Sequence, residues 1–403
     1  MTLAHQIRLN PTKAQEVYFR RACGTARFTY NWGLGEWKRQ YEAGEKPSGR
    51  SLKVAFNAIR ETEFPWSYKV HRDCTARAFD NLQRAFSNFF RRVKERAKKP
   101  GYPRFRKRGK STDSFYVAND KITLNRRTVR LPVIGIIKMR EALRFQGKVQ
   151  GATVKRIADG WFLSVQVDVG DYQKPRIVDG VVGVDLGLKN SATLSTTEVI
   201  QGPKPYRFVL RKLKRESRWH SRKVKGSSNK RKASLRLARV HRRVSWIRND
   251  FLHKLTSRLC CENQAIGIED LAVGNLSRNH HLALGILDEG WGEFRQQLEY
   301  KSLIYGTYIQ VFPRFYPSSK TCSRCGLVKD VLPLSERVFR CEGCGFECDR
   351  DFNAALNLVP TVSREFTPVD REALVEAHPL GDSTKLPWMK QERMGGHNCP
   401  LGR

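Results

Sequence analysis

Four cysteines near the C-terminus are spaced Cys322-x2-Cys325, fifteen residues, then Cys341-x2-Cys344. Two such CxxC knuckles can close a tetrahedral thiolate site, so the pattern points to structural zinc. Cys348 follows as a fifth cysteine, which could replace Cys344 or be a spare thiol. Asp349 and Asp351 come next, and a ribbon placed immediately before Asp351 would fix where that carboxylate sits. Two more acids stand on strand-like runs upstream, Asp185 in VVGVDLGL and Glu269 in AIGIEDL. Side chains alternate along a strand, so Gly183 and Gly187 flank Asp185 on its own face. The expectation is that they leave room for a metal and a phosphate. Gly267 stands in the same relation to Glu269, and Asp270 should face the other way. Asp351 falls in the first turn of a predicted helix, which Asp349 could cap. Singly, each acid reads as a turn or cap residue. Jointly, three converging carboxylates can hold two magnesium ions, one activating water and one stabilising the leaving oxygen. Hard oxygen ligands suit magnesium as thiolates suit zinc, so magnesium is assigned to chemistry and zinc to structure.

Composition supplies the substrate class. Of 403 residues, 75 are Lys or Arg and 39 Asp or Glu, a net charge of +36. Such a charge repels itself unless a polyanion compensates it, and nucleic acid is the obvious counterpart, with an anionic membrane the other option. No run of 18 apolar residues exists to span a bilayer, and the N-terminus lacks a signal-peptide stretch. With two CxxC pairs among ten cysteines, a reducing cytosol is the better reading than a secreted disulfide protein. Cys23, Cys74, Cys260, Cys261 and Cys399 then read as free thiols. The absence of helical HExxH, GxxxxGK[ST] and GxSxG removes the motifs of metalloproteases, P-loop NTPases and serine hydrolases.

The elements that must position these residues follow from periodicity. HQIRLNPT reads as a short strand. Residues 13–98 carry apolar residues at helical spacing, with Leu82, Phe86, Phe89, Phe90 and Val93 on one face. Residues 91–110 hold eleven Lys or Arg, broken by Pro100, Gly101 and Pro103. Tyr102 and Phe105 interleave with that charge, as in a surface that stacks and neutralises nucleic acid. From 115 to 169 short β runs suggest a small barrel, which the opening strand would join, leaving 13–98 as a helical insertion. Near 180 a second domain begins with a hairpin. Residues 204–248 hold eighteen Lys or Arg and one acid, Glu216, on long helices reaching about 262. Arg236, Arg239, Arg242 and Arg243 share a face there, a repulsion that an RNA or DNA backbone would relieve. The strand QAIGIED, the helix WGEFRQQLEYKSLIYG and the strand TYIQVFP lead into the ribbon and the helix DRDFNAALNLV. The Pro/Gly-rich tail, 361–403, is aperiodic and expected to be loosely ordered.

These motifs resemble the TnpB (OrfB) family, RNA-guided DNA endonucleases of bacterial insertion sequences related to type V CRISPR effectors. The resemblance is carried by KKPGYPRFRKR (98–108), GVDLGLKN (183–190), DFLHKLTSRL (250–259), GIEDL (267–271), GWGEFRQQLEYK (290–301), PSSKTCSRCG (317–326) and CEGCGFECDRDFNAALNL (341–358). It implies a multidomain α/β protein. An RNase H-like, RuvC-type nuclease domain (179–360) would hold the catalytic, magnesium-binding Asp185, Glu269 and Asp351. A zinc ribbon (312–349) would be inserted between the second and third acids, with Cys322, Cys325, Cys341 and Cys344 as ligands. An N-terminal β-barrel or wedge (1–12 and 99–178) would carry a helical recognition lobe (13–98).

The family uses a guide RNA from its own element. RNA pairing reads the DNA target, while the protein reads a short adjacent motif, a division shared with CRISPR nucleases. That reading is placed near Arg72 and Arg77, with Arg84 on the same helix, and near Arg104, Arg106 and Lys107. Arg236, Arg239 and Arg243 complete the expected nucleic-acid contacts. A monomer acting in the cytoplasm of a bacterium or archaeon, nucleoid-associated when on DNA and without a membrane, is expected. Rival readings are a DDE transposase, a non-cleaving TnpB-derived regulator and a plain basic zinc-ribbon RNA-binding protein. The order Asp–Glu–Asp with the last acid on a helix fits RuvC better than the first, a regulator should have lost acids, and the last needs no carboxylate triad.

Overall fold

The computed structural model describes residues 1–97, 99–177, 180–333 and 335–360, so the expected tail at 361–403 lies outside the described residues. They form two compact units, one ending at Gly170 and the other starting at Asp171. The strap before residue 178 belongs to the second unit, earlier than the boundary at 179 that the sequence suggested. Its backbone is bonded there: the amides of Lys174 and Ile177 donate to the carbonyls of Ile304 and Cys261.

The first unit is an antiparallel sheet with a helical insertion. Strand β1 (Thr2–Asn10) buries alternate residues Leu3, His5, Ile7 and Leu9. Helices α1 (Lys13–Glu42), α2 (Gly49–Glu63) and α3 (Asp73–Lys94) come next. Strands β2 (Ser114–Ala118), β3 (Thr123–Asn125), β4 (Thr128–Leu131), β5 (Gly135–Met139), β6 (Lys148–Ile157) and β7 (Gly160–Asp168) complete the unit. The order is β2-β6-β7-β1-β5-β4-β3, and β1 pairs along its length with β7. A closed barrel needs its end strands to pair. Here the sheet ends on β2 and β3, with no pairing between them among the described residues.

Capping boxes start α1 and α2, Thr12 with Gln15 and Ser48 with Ser51. The first turns of α1 cover the sheet, where Phe19 meets Phe115 and Trp161. Its later turns bury Tyr30, Leu34 and Trp37 against Phe56, Phe79 and Phe86 of α2 and α3. These aromatic residues are helix-bundle core.

The second unit carries a mixed sheet of order β10-β9-β8-β11-β12. Strands β8 (Gly180–Asp185), β9 (Ala192–Leu194) and β10 (Val199–Ile200) form an antiparallel meander. Helices α4 (Pro205–Ser221) and α5 (Ser228–Glu262) form a hairpin closed by Val209, Leu213, Val240 and Val244. Strand β11 (Asn263–Glu269) returns parallel to β8. Two helices without a clear sequence signal follow, α6 (Val273–Leu276) and α7 (His280–Glu289), then α8 (Trp291–Tyr305).

Lys301 of α8 is fully buried, and its ammonium donates to the carbonyl of His253 and to the hydroxyls of Thr256 and Ser257 on α5. Three acceptors satisfy the three donors that a buried lysine must place. Strand β12 (Tyr308–Phe312) joins β11 in parallel. The ribbon hairpin, β13 (Val338–Arg340) and β14 (Glu347–Asp349), leads directly into α9 (Arg350–Asn357). No helix among the described residues is long and apolar enough to cross a membrane.

Candidate active site

Two of the three acids are placed by strand register. In the parallel pair β8–β11, Gly183 lies opposite Gly267 and Val184 opposite Ile268, so Asp185 and Glu269 end neighbouring strands side by side. Neighbouring strands run about 4.8 Å apart, and the carboxyl ends of parallel strands are where open α/β sheets place ligands. The third acid comes from α9. Residues two apart on a strand share a face, so Gly183 and Asp185 point the same way, as do Gly267 and Glu269. A Cβ added to Gly183 would sit 2.0 Å from the carbonyl oxygen of Ala355, and one at Gly267 would sit 1.8 Å from that of Leu358.

The C-terminal end of α9 therefore rests on these two glycines, on the face that carries Asp185 and Glu269. This corrects the sequence-based reason for the glycines. They admit the backbone of the helix that presents Asp351, not a metal and a phosphate. A Cβ added to Gly187, in the loop between β8 and β9, would sit 2.9 Å from the carbonyl oxygen of Asn190.

Electrostatics link the three carboxylates. Burial pushes the Asp185 carboxyl up to about 8, the nearby charges of Glu269 and then Asp351 add to it, and Arg350 opposes them. The guanidinium of Arg350 lies 3.3 Å from Asp351 Oδ1 and donates to the carbonyl of Glu336. Neighbouring acids do other work. Asp349 caps α9, accepting from the amides of Asp351 at 2.9 Å and Phe352 at 3.1 Å. Asp270 is held by Arg295 and Arg314, away from the pair.

The four sulfurs of Cys322, Cys325, Cys341 and Cys344 lie within 4.8 Å of one another, the one set of three or more potential ligands so close among the described residues. Cys322 and Cys344 are 3.7 Å apart, Cys325 and Cys341 3.5 Å. A tetrahedron with Zn–S bonds of about 2.3 Å has edges of about 3.8 Å, so the thiols fit zinc. Each knuckle turns through a glycine at positive φ, Gly326 at 79° and Gly345 at 66°. The backbone amides of Cys344 and Gly343 bring the Cys341 thiol down to about 6. Cys348 is not in the cluster. It sits in β14 opposite Phe339, packed under the ribbon, which leaves the fourth ligand as Cys344. The carboxylates are not drawn together as tightly as the thiols. Their donor set, three carboxylates with hard oxygens, is nonetheless the one magnesium takes.

Three residues that sequence reading missed join the ribbon to the acids. The Ser318 hydroxyl donates to Glu269. The Asn357 amide donates to the carbonyls of Ser318 at 2.8 Å and Thr321 at 2.6 Å. Asn353, fully buried, donates to Thr321 at 2.7 Å and accepts from the Ser323 amide at 3.0 Å. The available signal was two asparagines four apart on a short helix directly after the ribbon, amides that share a face.

The arginines expected to contact nucleic acid divide. Arg72, Arg104 and Lys107 are exposed. Arg77 lies over the Tyr116 ring at 4.5 Å and pairs with Asp80. Arg106 lies 3.7 Å over Tyr30, and its backbone makes two bonds to the Asn31 side chain, so it anchors its loop. Arg236, Arg239 and Arg243 are exposed on α5, with Arg236 5.8 Å from the Trp219 ring.

Comparison with known proteins adds three family matches. Residues 164–280 match the OrfB_IS605 model, described as "Probable transposase". Residues 291–358 match the Cas12f1-like TNB domain, and residues 1–46 the OrfB_IS605 helix-turn-helix domain. In this structure residues 1–46 hold a strand and one continuous helix rather than two helices.

A Streptomyces pristinaespiralis protein named "Putative RNA-guided DNA endonuclease" is 37% identical over 88% of each chain. "Putative RNA-guided DNA endonuclease InsQ" of Escherichia coli K12 is 31% identical over 88% of this chain and 91% of that one. Among solved structures, a cryo-EM Cas12f1–sgRNA–target DNA complex matches with a TM-score of 0.53 at 15% identity, covering 86% of this chain and 83% of the other.

Proposed function

The chain belongs to the TnpB (OrfB) family of insertion-sequence proteins, and from that premise we propose that it is an RNA-guided DNA endonuclease cutting through Asp185, Glu269 and Asp351. The observation that carries the reading is the in-register placement of Asp185 beside Glu269 under the helix that bears Asp351. Burial, and after it the charges of Glu269 and Asp351, lifts the Asp185 carboxyl, and a divalent cation held there would offset both by stabilising the ionised form. Magnesium bound there would activate water and stabilise the leaving oxygen.

The residues of the chain do the positioning. Asp185 and Glu269 are fixed by the sheet, Ser318 orients Glu269, and the asparagines of α9 tie Asp351 to the ribbon. Zinc on the four thiolates would keep the first knuckle, and with it Ser318 and Thr321, in register with α9. The second unit is read as the RuvC-type nuclease domain with its ribbon insertion. In the first, the sheet is read as the wedge and α1–α3 as the recognition lobe.

The partners proposed are a guide RNA from the chain's own element and a DNA target, bound by a monomer in the cytoplasm. The net charge of +36 suits a protein that holds two polyanions. Guide pairing would read the target, and the protein a short neighbouring motif. Three acids intact at one site disfavour the non-cleaving regulator.

The test is to purify the protein from its native locus, sequence the RNA that travels with it, and present DNA matching that RNA. Cleavage of matched but not scrambled DNA, present in magnesium and absent in chelator, is expected. Cutting that ignores the RNA sequence or persists in chelator would overturn the proposal.

A further inference from the structure

A cleft of about 860 Å³ lies in the first unit, between α1 and the loop that follows α3. Lys38, Tyr102, Arg104, Phe105, Lys107 and Lys110 face it, and no carboxylate among the described residues lines it. Its two rings are presented to solvent, Tyr102 at 43% exposure and Phe105 at 48%. Large exposed aromatics on a loop normally collapse onto the fold, because burying such a ring is strongly favoured. Here the loop is held open. Tyr102 is braced edge-on by Phe86 at 5.5 Å and Phe89 at 5.2 Å. Arg106 is pinned on Tyr30 and Asn31. The Lys107 amide donates to the Ser111 hydroxyl, and the Ser111 amide returns a bond to the Lys107 carbonyl. The Lys38 ammonium stands 5.6 Å from the Tyr102 ring centre and 5.5 Å from that of Phe105, and so marks the space between α1 and the two rings.

A preformed cleft with two half-exposed rings, the Lys38 ammonium over both, and a lining whose charges are all positive among the described residues fits a planar group joined to phosphate. We propose that it is a stacking pocket for one unpaired nucleotide of a bound single strand. The base would lie against Phe105 and Tyr102, with flanking phosphates on Arg104, Lys107 and Lys110. A duplex keeps its bases stacked on one another and offers such rings nothing but backbone, so the pocket selects single strands. This assignment rests on the reading of the chain as a nucleic-acid enzyme and names the form of nucleic acid the loop takes. Guide RNA and a separated DNA strand share the chemistry, and the test distinguishes them.

Full-length Asp185→Ala protein, stripped of nucleic acid, provides the background. Binding is then read whether or not the cleavage mechanism is right. The probes are rU and dT oligomers of about 15 nucleotides with one central 2-aminopurine, and a duplex of the same length. Adding Phe105→Leu should weaken single-strand binding about tenfold, the scale of one lost base stack, and remove the quenching of 2-aminopurine. Phe105→Trp should retain both. Duplex binding should not change in either, which also shows that the fold is intact. Lys107→Gln and Lys110→Gln should instead flatten the salt dependence. Tighter binding of rU assigns the pocket to RNA, and of dT to a DNA strand. Unchanged single-strand binding in Phe105→Leu, or an equal loss for the duplex, would overturn the pocket.

Discussion

The Ser318 hydroxyl donates a hydrogen bond to the carboxylate of Glu269, while the Ser318 carbonyl accepts one from Asn357 of the helix that carries Asp351. One residue at the mouth of the ribbon thus touches the strand acid and the helix that bears the third acid. Partners of this kind typically set metal affinity or activity by 10- to 100-fold. Ser318→Ala should lower cleavage by about tenfold and raise the magnesium concentration needed for half-maximal rate, with zinc content unchanged. A magnesium titration of the variant checks this; an unchanged midpoint would separate Ser318 from the site.

Gly267 and Gly183 seat α9, so their substitution should act through Asp351. A Cβ at Gly267 meets backbone rather than a flexible side chain, and neither side can yield cheaply. Gly267→Ala should cost about 3 kcal/mol, the scale of overpacking a core. Gly292→Ala, on helix α8 with open space around it, should stay within about 0.5 kcal/mol of wild type. Urea unfolding of the two variants gives the comparison.

The ribbon should hold about one zinc per chain, as a single four-thiolate site does. Cys322→Ser or Cys341→Ser should lose it, and with it the anchor of Asn353 and Asn357, so cleavage should fall although no acid is altered. Cys348→Ser should keep the metal, because Cys348 lies outside the thiolate cluster. Elemental analysis of the three proteins, alongside their activity, tests both statements.

In the first unit, burial and then the charge of Arg144 hold the His5 imidazole down at about 4, with Glu141 opposing. Its Nδ1 accepts from the Arg144 amide. An unfolded histidine titrates near 6.5, so His5 stays neutral in the fold while the unfolded chain takes up a proton. The stability from a neutral His5 is therefore present above pH 6.5 and lost as pH falls from there toward 4. Between pH 7 and 5 the loss from this residue is about 2 kcal/mol. Thermal unfolding of wild type and His5→Gln at both pH values should show a shallower pH dependence in the variant. Parallel curves would contradict it.

Much of this arrangement is legible in the sequence because it is local. The alternation of β1, the long helical pattern of α5 and the CxxC pairs each express a short-range rule, as does Asp349 as a cap. What escaped reading depends on packing between distant segments. Glycines two residues before Asp185 and Glu269 look like space for a ligand, and only the docking of α9 shows them filled by the carbonyls of Ala355 and Leu358. Ser318, Asn353 and Asn357 carry no charge, and the motifs PSSKTCSRCG and CEGCGFECDRDFNAALNL that contain them do not say what they touch, so their role appears only when the knuckle and the helix are brought together. Arg106 reads as one more cation in a basic run, yet its stacking on Tyr30 requires α1, more than sixty residues upstream. Helices α6 and α7 are short and lack a sustained period, so periodicity could not find them.

The most direct test is cleavage of guide-matched DNA by the RNA-loaded protein in magnesium, with Asp351→Ala and Asp349→Ala compared side by side. Asp349→Ala loses only a helix cap, about 1 kcal/mol, and should still cut. Asp351→Ala should bind guide RNA and target as wild type does and yield no product, as should Asp185→Ala and Glu269→Ala. Wild-type product from Asp351→Ala would contradict the assignment of the three carboxylates and the mechanism built on them.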